Sequence, residues 1–164
     1  MFVEFENLSN NSRIWIYQSE RAFNFKEIDF ISDKTVSFIE QWTRHGVNLK
    51  GSFTIKYNQF LVLAVDEGFN NVSGCSIDSS VRFIKELEKL LTIDMMNKMN
   101  ISFKDGNYIK IVNMSIFKEF LKKRIITSET IVYNNMVTTK KALETEWEVP
   151  LANSWHKRFL VSNT

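Results

Sequence analysis

The sequence predicts an α+β fold. The expected form is a ferredoxin-like split βαβ sandwich, an antiparallel sheet with two helices on one face, whose C-terminal β-α-β extension covers the other face. Three observations predict it. Candidate elements run β-α-β-β-α-β and then β-α-β again. The hexapeptide Phe60–Val65 (FLVLAV) is apolar at every position, as a strand buried on both faces must be. Apolar residues make up 44% of the 164, fourteen of them Phe, so a core can form without a disulfide or a structural metal. That composition, with one Pro and five Gly, also excludes collagen-like and disordered chains.

Each element has a local reason. Arg13–Tyr17 (RIWIY) is rich in β-branched and aromatic residues, which fit a pleated surface. Phe25, Ile28, Ile31, Phe38, Ile39 and Trp42 then recur at helical spacing. Ser32 and Asp33 compete for backbone groups and are expected to nick this helix, and His45-Gly46 to close it with a left-handed cap. Ser52–Tyr57 alternates as a half-buried strand does, and Asn58-Gln59 turns it into Phe60–Val65. After a loop over 66–76, Asp78–Leu91 forms the clearest helix, with Val81, Ile84, Leu87 and Leu91 inward and an Arg82–Glu86 pair outward. Ile101–Lys104 and Asn107–Val112 flank Asp105-Gly106, a strong hairpin signal. Ser115 caps a short helix to Lys123, Thr130–Tyr133 forms a late strand, and a weak helix follows near Thr139–Glu144. Trp147, Pro150 and Trp155 are expected to anchor the tail on the body.

The organisation read from this order is a tail over 1–12, an α+β core over 13–112 and an extension over 113–164, packed as one domain. Because both faces of Phe60–Val65 are greasy, something must cover each. The extension is preferred for the second face, and a sheet-to-sheet homodimer is the alternative. One cysteine, Cys75, makes no intramolecular disulfide. The first dozen residues hold Glu4 and Glu6 without an apolar run, so no signal peptide is expected. The longest apolar run has six residues, where a membrane helix needs about 20, so no membrane partner and a cytoplasmic location are expected. Two histidines and one cysteine are few ligands for zinc, and no metal or other cofactor is expected.

Several stretches resemble a family of short bacterial proteins that often carry the label ABC transporter ATPase. They are Arg13 to Ser19 (RIWIYQS), Arg21-Ala22-Phe23, Gln41-Trp42 through His45-Gly46, Val65-Asp66-Glu67 and Ser73 to Asp78 (SGCSID). The likeness runs from about Arg13 to Trp155-His156. The family implies no established activity and therefore no catalytic residues. The ATPase label also fails on the residues. A P-loop needs G-x-x-x-x-G-K-[ST] between a strand and a helix. The nearest segment, Gly46-Val47-Asn48-Leu49-Lys50-Gly51-Ser52, places its lysine before the second glycine and joins a helix to a strand.

One segment carries a chemical hypothesis. Asp66-Glu67 ends a buried strand, and Ser73-Gly74-Cys75-Ser76-Ile77-Asp78 leads into a helix, where the dipole can favour a thiolate at Cys75. His45 could serve as its base, and Tyr17-Gln18-Ser19 ends the first strand. The structural reading is preferred. Ser76 or Asp78 suits a helix cap, Gly74 a tight turn and Cys75 a small apolar site, while the nearby acids would raise the thiol pKa. Cys75, His45 and Asp66 therefore stand as catalytic candidates. Tyr17, Gln18, Ser19, Glu67, Ser73, Ser76 and Asp78 stand as ligand-binding candidates. Nucleic acid is not favoured. The 21 Lys+Arg nearly balance the 19 Asp+Glu, no RNP1-type motif occurs, and Lys122-Lys123-Arg124, Lys140-Lys141 and Lys157-Arg158 are scattered. The expected role is a non-catalytic module that binds a small ligand or a protein, with a small enzyme using the Cys75 loop as the alternative.

Overall fold

The computed structural model describes residues 1–44, 46–66 and 73–161, and these form two compact units, Met1–Met96 and Asn97–Thr164. The architecture is mixed α and β, with two larger antiparallel sheets, one in each unit. No helix among the described residues is long and apolar enough to cross a membrane.

In the first unit β1 (Arg13–Gln18), β4 (Gly51–Lys56) and β5 (Phe60–Val65) form a three-stranded sheet with β5 in the centre. All six β5 side chains are fully buried, as an unbroken apolar run requires. Leu61 and Leu63 pack against Ile31 of α1 (Phe25–Gln41) and against Ile84 and Leu87 of α2 (Gly74–Leu91). On the opposite face Ala64 is flanked by Ile14 and Ser52, all closed to water. The first twelve residues belong to this unit. Phe2 bridges Gly51 in parallel, a 3-10 turn spans Phe5–Asn7, and Leu8 and Ser12 are buried.

Helix α1 starts with a capping box. The Glu27 N–H donates to the Asn24 side chain, while the Glu27 carboxylate accepts from the Asn24 N–H. Arg21 grips both Glu27 oxygens at 2.8 Å, and this pairing, helped by the Asn24 N–H, holds the carboxyl down at about 2. The expected nick at Ser32-Asp33 does not occur. Ile31, Thr35 and Ile39 keep one buried stripe running through that point, and the Thr35 hydroxyl donates to the Ile31 carbonyl, so packing outweighs local competition. Nor does Gly46 cap the helix, which ends at Gln41. Its φ of +80° serves the turn of a small hairpin, β2 (Thr43–Arg44) with β3 (Val47–Asn48). The next turn places Tyr57 and Asn58 at φ of +52° and +53°, one residue earlier than the sequence implies. Helix α2 starts four residues ahead of its expected beginning, with Ser73 as N-cap instead of Ser76 or Asp78. Phe83 and Ser80 join Ile84 and Leu87 on its buried face. The Arg82 guanidinium donates to the Ser79 hydroxyl.

The second unit is built on a four-stranded sheet of order β7-β6-β8-β9. Its strands are β6 (Asn100–Asp105), β7 (Tyr108–Asn113), β8 (Ile131–Tyr133) and β9 (Glu148–Pro150). This replaces the single split-βαβ sheet, in which the strand after α2 would pair with β1. The two-residue hairpin Gly106-Asn107 gives β6 a neighbour at minimal loop-closure cost, and β8 takes its other edge. Both hydrogen-bonding edges of β6 are thereby consumed. Strands β6 and β7, grouped by sequence order with the first helices, thus share a sheet with the tail. Helix α3 (Met114–Lys122) is capped by Asn113, not Ser115, whose hydroxyl donates to the Asn113 side chain. Helix α4 (Lys140–Thr145) is capped by Thr139, and α5 (Arg158–Val161) ends the described chain. Phe117 and Leu121 of α3 pack on Ile101 and Phe103. Trp147 lies 5.0 Å from Tyr133, and Trp155 lies 5.5 Å from Phe159. Both tryptophans are thus anchored within the second unit.

Among the described residues, the buried Ser52 and Ser102 carry hydroxyls without a hydrogen-bond partner. Each sits in a tight sheet row, Ser52 opposite Ala64 and Ser102 opposite Ile111. An unsatisfied buried hydroxyl costs stability, so Ser52→Ala and Ser102→Ala are each expected to raise the unfolding free energy by about 1 kcal/mol. Urea titration reads this, and a loss of stability in either variant would show that its hydroxyl is satisfied.

Candidate functional site

The segment that leads into α2 is held by the residues that follow α1. The Ser76 N–H donates to the Ser73 hydroxyl at 3.2 Å, closing the cap. The Ser76 hydroxyl donates to the Thr43 carbonyl at 2.8 Å, and the Trp42 indole N–H donates to the Ser76 carbonyl at 2.9 Å. Trp42 itself is buried between Phe38 and Trp15, at ring distances of 5.1 and 5.9 Å. The first turn of α2 is therefore rigidly placed by bonds between Trp42, Thr43 and Ser76 that the sequence reading did not anticipate. Gln41-Trp42 is the signal that could have found them, since a tryptophan just past a helix end has to pack somewhere.

Cys75 lies in that first turn with its side chain exposed, and its carbonyl accepts from the Ser79 hydroxyl. Asp78 is also exposed. Asp66 is anchored at the same end of the sheet. Its N–H donates to the Lys50 carbonyl, and its carboxylate stands 3.8 Å from the Lys50 ammonium. His45 and Glu67, the expected base and the second acid, lie outside the described residues.

The remaining candidates occupy the opposite end. Register pairs Tyr17 with Leu61 and Gln18 with Phe60, whereas Asp66 follows Val65, the partner of Arg13. About five residues of strand, roughly 16 Å, separate Tyr17 from Asp66. Tyr17 packs on the first core, where burial raises its phenol pKa against the opposing effect of its bond to Ser80. Ser19 is buried in the turn. Its N–H donates to the Gln59 carbonyl, and its hydroxyl accepts from the Arg21 N–H. The structure thus collects Asp66, Ser73, Cys75, Ser76 and Asp78 at one end of the unit and sets Tyr17, Gln18 and Ser19 at the other. Among the described residues, no group of three or more His, Cys, Asp or Glu side chains is gathered as metal ligands. The P-loop-like segment is strand-forming from Gly51, and a β-carbon there would lie 3.2 Å from both the Ala64 carbonyl and the Ile39 side chain.

The other histidine lies in the second unit. His156 is buried, its Nδ1 is 2.7 Å from the Ser154 hydroxyl, and its ring stacks on Trp155 at 4.1 Å. Burial, with the Arg158 charge adding to it, pushes its pKa down to about 4. Ser154 is buried as well, so this Ser-His contact is sealed from solvent.

A further feature that sequence reasoning missed is an open sheet edge. Strand β7 is the outer strand of its sheet, and Tyr108 at its start is 79% exposed. The hairpin register places Tyr108, Lys110 and Val112 in the ladder with β6, so the backbone groups of Ile109 and Ile111 point outward. The opposite edge, β9, has three residues and ends in Pro150, which has no N–H to offer. The hairpin signal at Asp105-Gly106 located β7 in the sequence, but nothing local shows which strands end a sheet.

No protein-family model matches the chain. No curated protein and no solved structure matches it either.

Proposed function

We propose that the protein is a non-catalytic binding module that takes protein partners by strand addition to β7, a second copy of this chain among them. The observation that carries this reading is the β7 edge. It is six residues long, presents two N–H and two C=O groups outward, and is flanked by apolar Ile109 and Ile111. Added strands gain affinity from such main-chain bonds, each worth about 1 kcal/mol, and specificity from alternate side chains. A copy centred on Lys110 would set two ammonium groups face to face, so self-pairing favours a register centred on Ile111. The division of the candidate site residues between two ends of the first unit supports surface binding over catalysis at one cleft.

Amide hydrogen exchange tests the reading, with a peptide of residues 106–115 as the added strand. The Ile109 and Ile111 amides are expected to become protected as peptide or protein concentration rises, and Ile111→Pro, which removes an outward N–H, to abolish that protection. Exchange at Ile109 and Ile111 that is indifferent to peptide and to protein concentration would remove β7 as a binding edge.

A further inference from the structure

The chain's small net charge hides a division between its units. Met1–Met96 holds 10 Lys+Arg against 13 Asp+Glu, whereas Asn97–Thr164 holds 11 against 6, so the first is net negative and the second net positive. Within the second unit the excess is concentrated further. Strand β7, helix α3 with the turn through Arg124, and residues 155–161 contain seven cations and one acid, Glu119, which is already paired with Lys123 at 2.9 Å. All seven cations are exposed. Four of them lie on α3 or its turn, and the fold brings Lys110 and Arg158 to rings that α3 carries or that its Lys118 covers.

Three of them are positioned by aromatic rings. The Lys110 ammonium stands 5.4 Å over Phe120, on the β7 side of α3. The Lys118 ammonium stands 5.4 Å over Phe159, and the Arg158 guanidinium lies 5.3 Å from the same ring and 4.8 Å from Trp155. Lys118 and Arg158 share the Phe159 ring and are thus within about 11 Å of each other, so one ring sets the spacing of two cations. We propose that this face of the second unit binds the phosphate backbone of duplex nucleic acid. Fixed, like-charged groups spread around one helix match a regular row of phosphates, whose contacts release counterions. The rings leave no platform for an unstacked base, because Trp155 carries His156 on one side and Arg158 near it, and Phe159 carries two cations. Recognition is therefore of charge and shape, not of base sequence, and it uses the Lys110 side chain of β7, whereas strand addition uses the backbone of Ile109 and Ile111.

Fluorescence anisotropy with a labelled 20-base-pair DNA duplex of mixed sequence tests this on the full chain. Contact with about four phosphates would weaken binding roughly a hundredfold between 50 and 200 mM salt. Lys118→Glu with Arg158→Glu is expected to abolish binding at 50 mM salt. Lys85→Glu, on α2 of the first unit, is expected to leave it unchanged. Lys110→Gln with Lys122→Gln, a milder pair, is expected to lower the salt slope by about 2 without altering the thermal midpoint. The proposal is overturned if the duplex fails to bind at 50 mM salt, or if Lys85→Glu weakens binding as much as Lys118→Glu with Arg158→Glu does. Equal or tighter retention on vesicles with 30% anionic lipid, or on poly-glutamate, overturns it too, by assigning the face to a membrane or to an acidic protein.

Discussion

Between pH 6.5 and pH 4 the Asn97–Thr164 unit is expected to lose about 3 kcal/mol of stability through His156 alone. The imidazole is 2% exposed, stacked on Trp155 and hydrogen-bonded to Ser154, and its pKa in the folded protein is about 4 against an ordinary value of 6.5. Over that window the unfolded chain takes up a proton that the folded chain refuses, so stability falls as pH falls. Above pH 6.5 both states are neutral and the contribution is complete. A shift of this size corresponds to about 3 kcal/mol at 1.36 per unit. His156→Phe keeps a ring beside Phe117 and removes the titration. Its urea-unfolding free energy should therefore change much less over the same pH range. A variant curve as steep as that of the wild type would locate the acid sensitivity in some other group.

Trp42→Ala is expected to cost about 4 kcal/mol and to loosen the start of α2. The side chain is fully buried against Phe38 and Trp15, and truncation of a core Trp leaves a cavity that the neighbours fill only in part. The same variant removes the indole donor from the Ser76 carbonyl and with it the tie between Trp42 and the first turn of α2. Trp42→Phe separates these effects, since it keeps most of the packing and loses the indole N–H, at about 1 kcal/mol. In both variants hydrogen exchange at Ser76 and Ile77 should rise before exchange at Ile84 and Leu87. Uniform change along α2 would mean that Trp42 stabilises the core without positioning the Cys75 turn.

Local chemistry made much of the fold legible. Phe60–Val65 reads as a doubly buried strand because six apolar residues in a row cannot have a wet face, and all six are closed to water. Asp105-Gly106 marks its hairpin to within one residue, since glycine takes the φ of +61° that the turn needs without steric cost. Boundaries were less legible where two rules compete. Gly74 and Ser76 look like turn residues, yet a cap at Ser73 and the bonds to Trp42 and Thr43 draw them into α2. Strand pairing was legible at the two hairpins, β4 with β5 and β6 with β7, but not beyond them, because the order of elements leaves open whether the second edge of β6 takes β1 or β8. The same holds for the site. The loop residues around Cys75 could be named from the sequence, but their separation from Tyr17 and Ser19 depends on register. The gathering of Lys110, Lys118 and Arg158 depends on tertiary packing of rings far apart in the chain.

The central place of β5 bears on how the protein leaves the ribosome. A hexapeptide as greasy as FLVLAV is an aggregation hazard whenever it is solvated without a partner. Both strands that flank it, β1 and β4, are synthesised earlier. When Phe60 emerges, its two neighbours are already outside the exit tunnel, so the nascent chain can shelter its stickiest segment within the time needed to translate a few more codons.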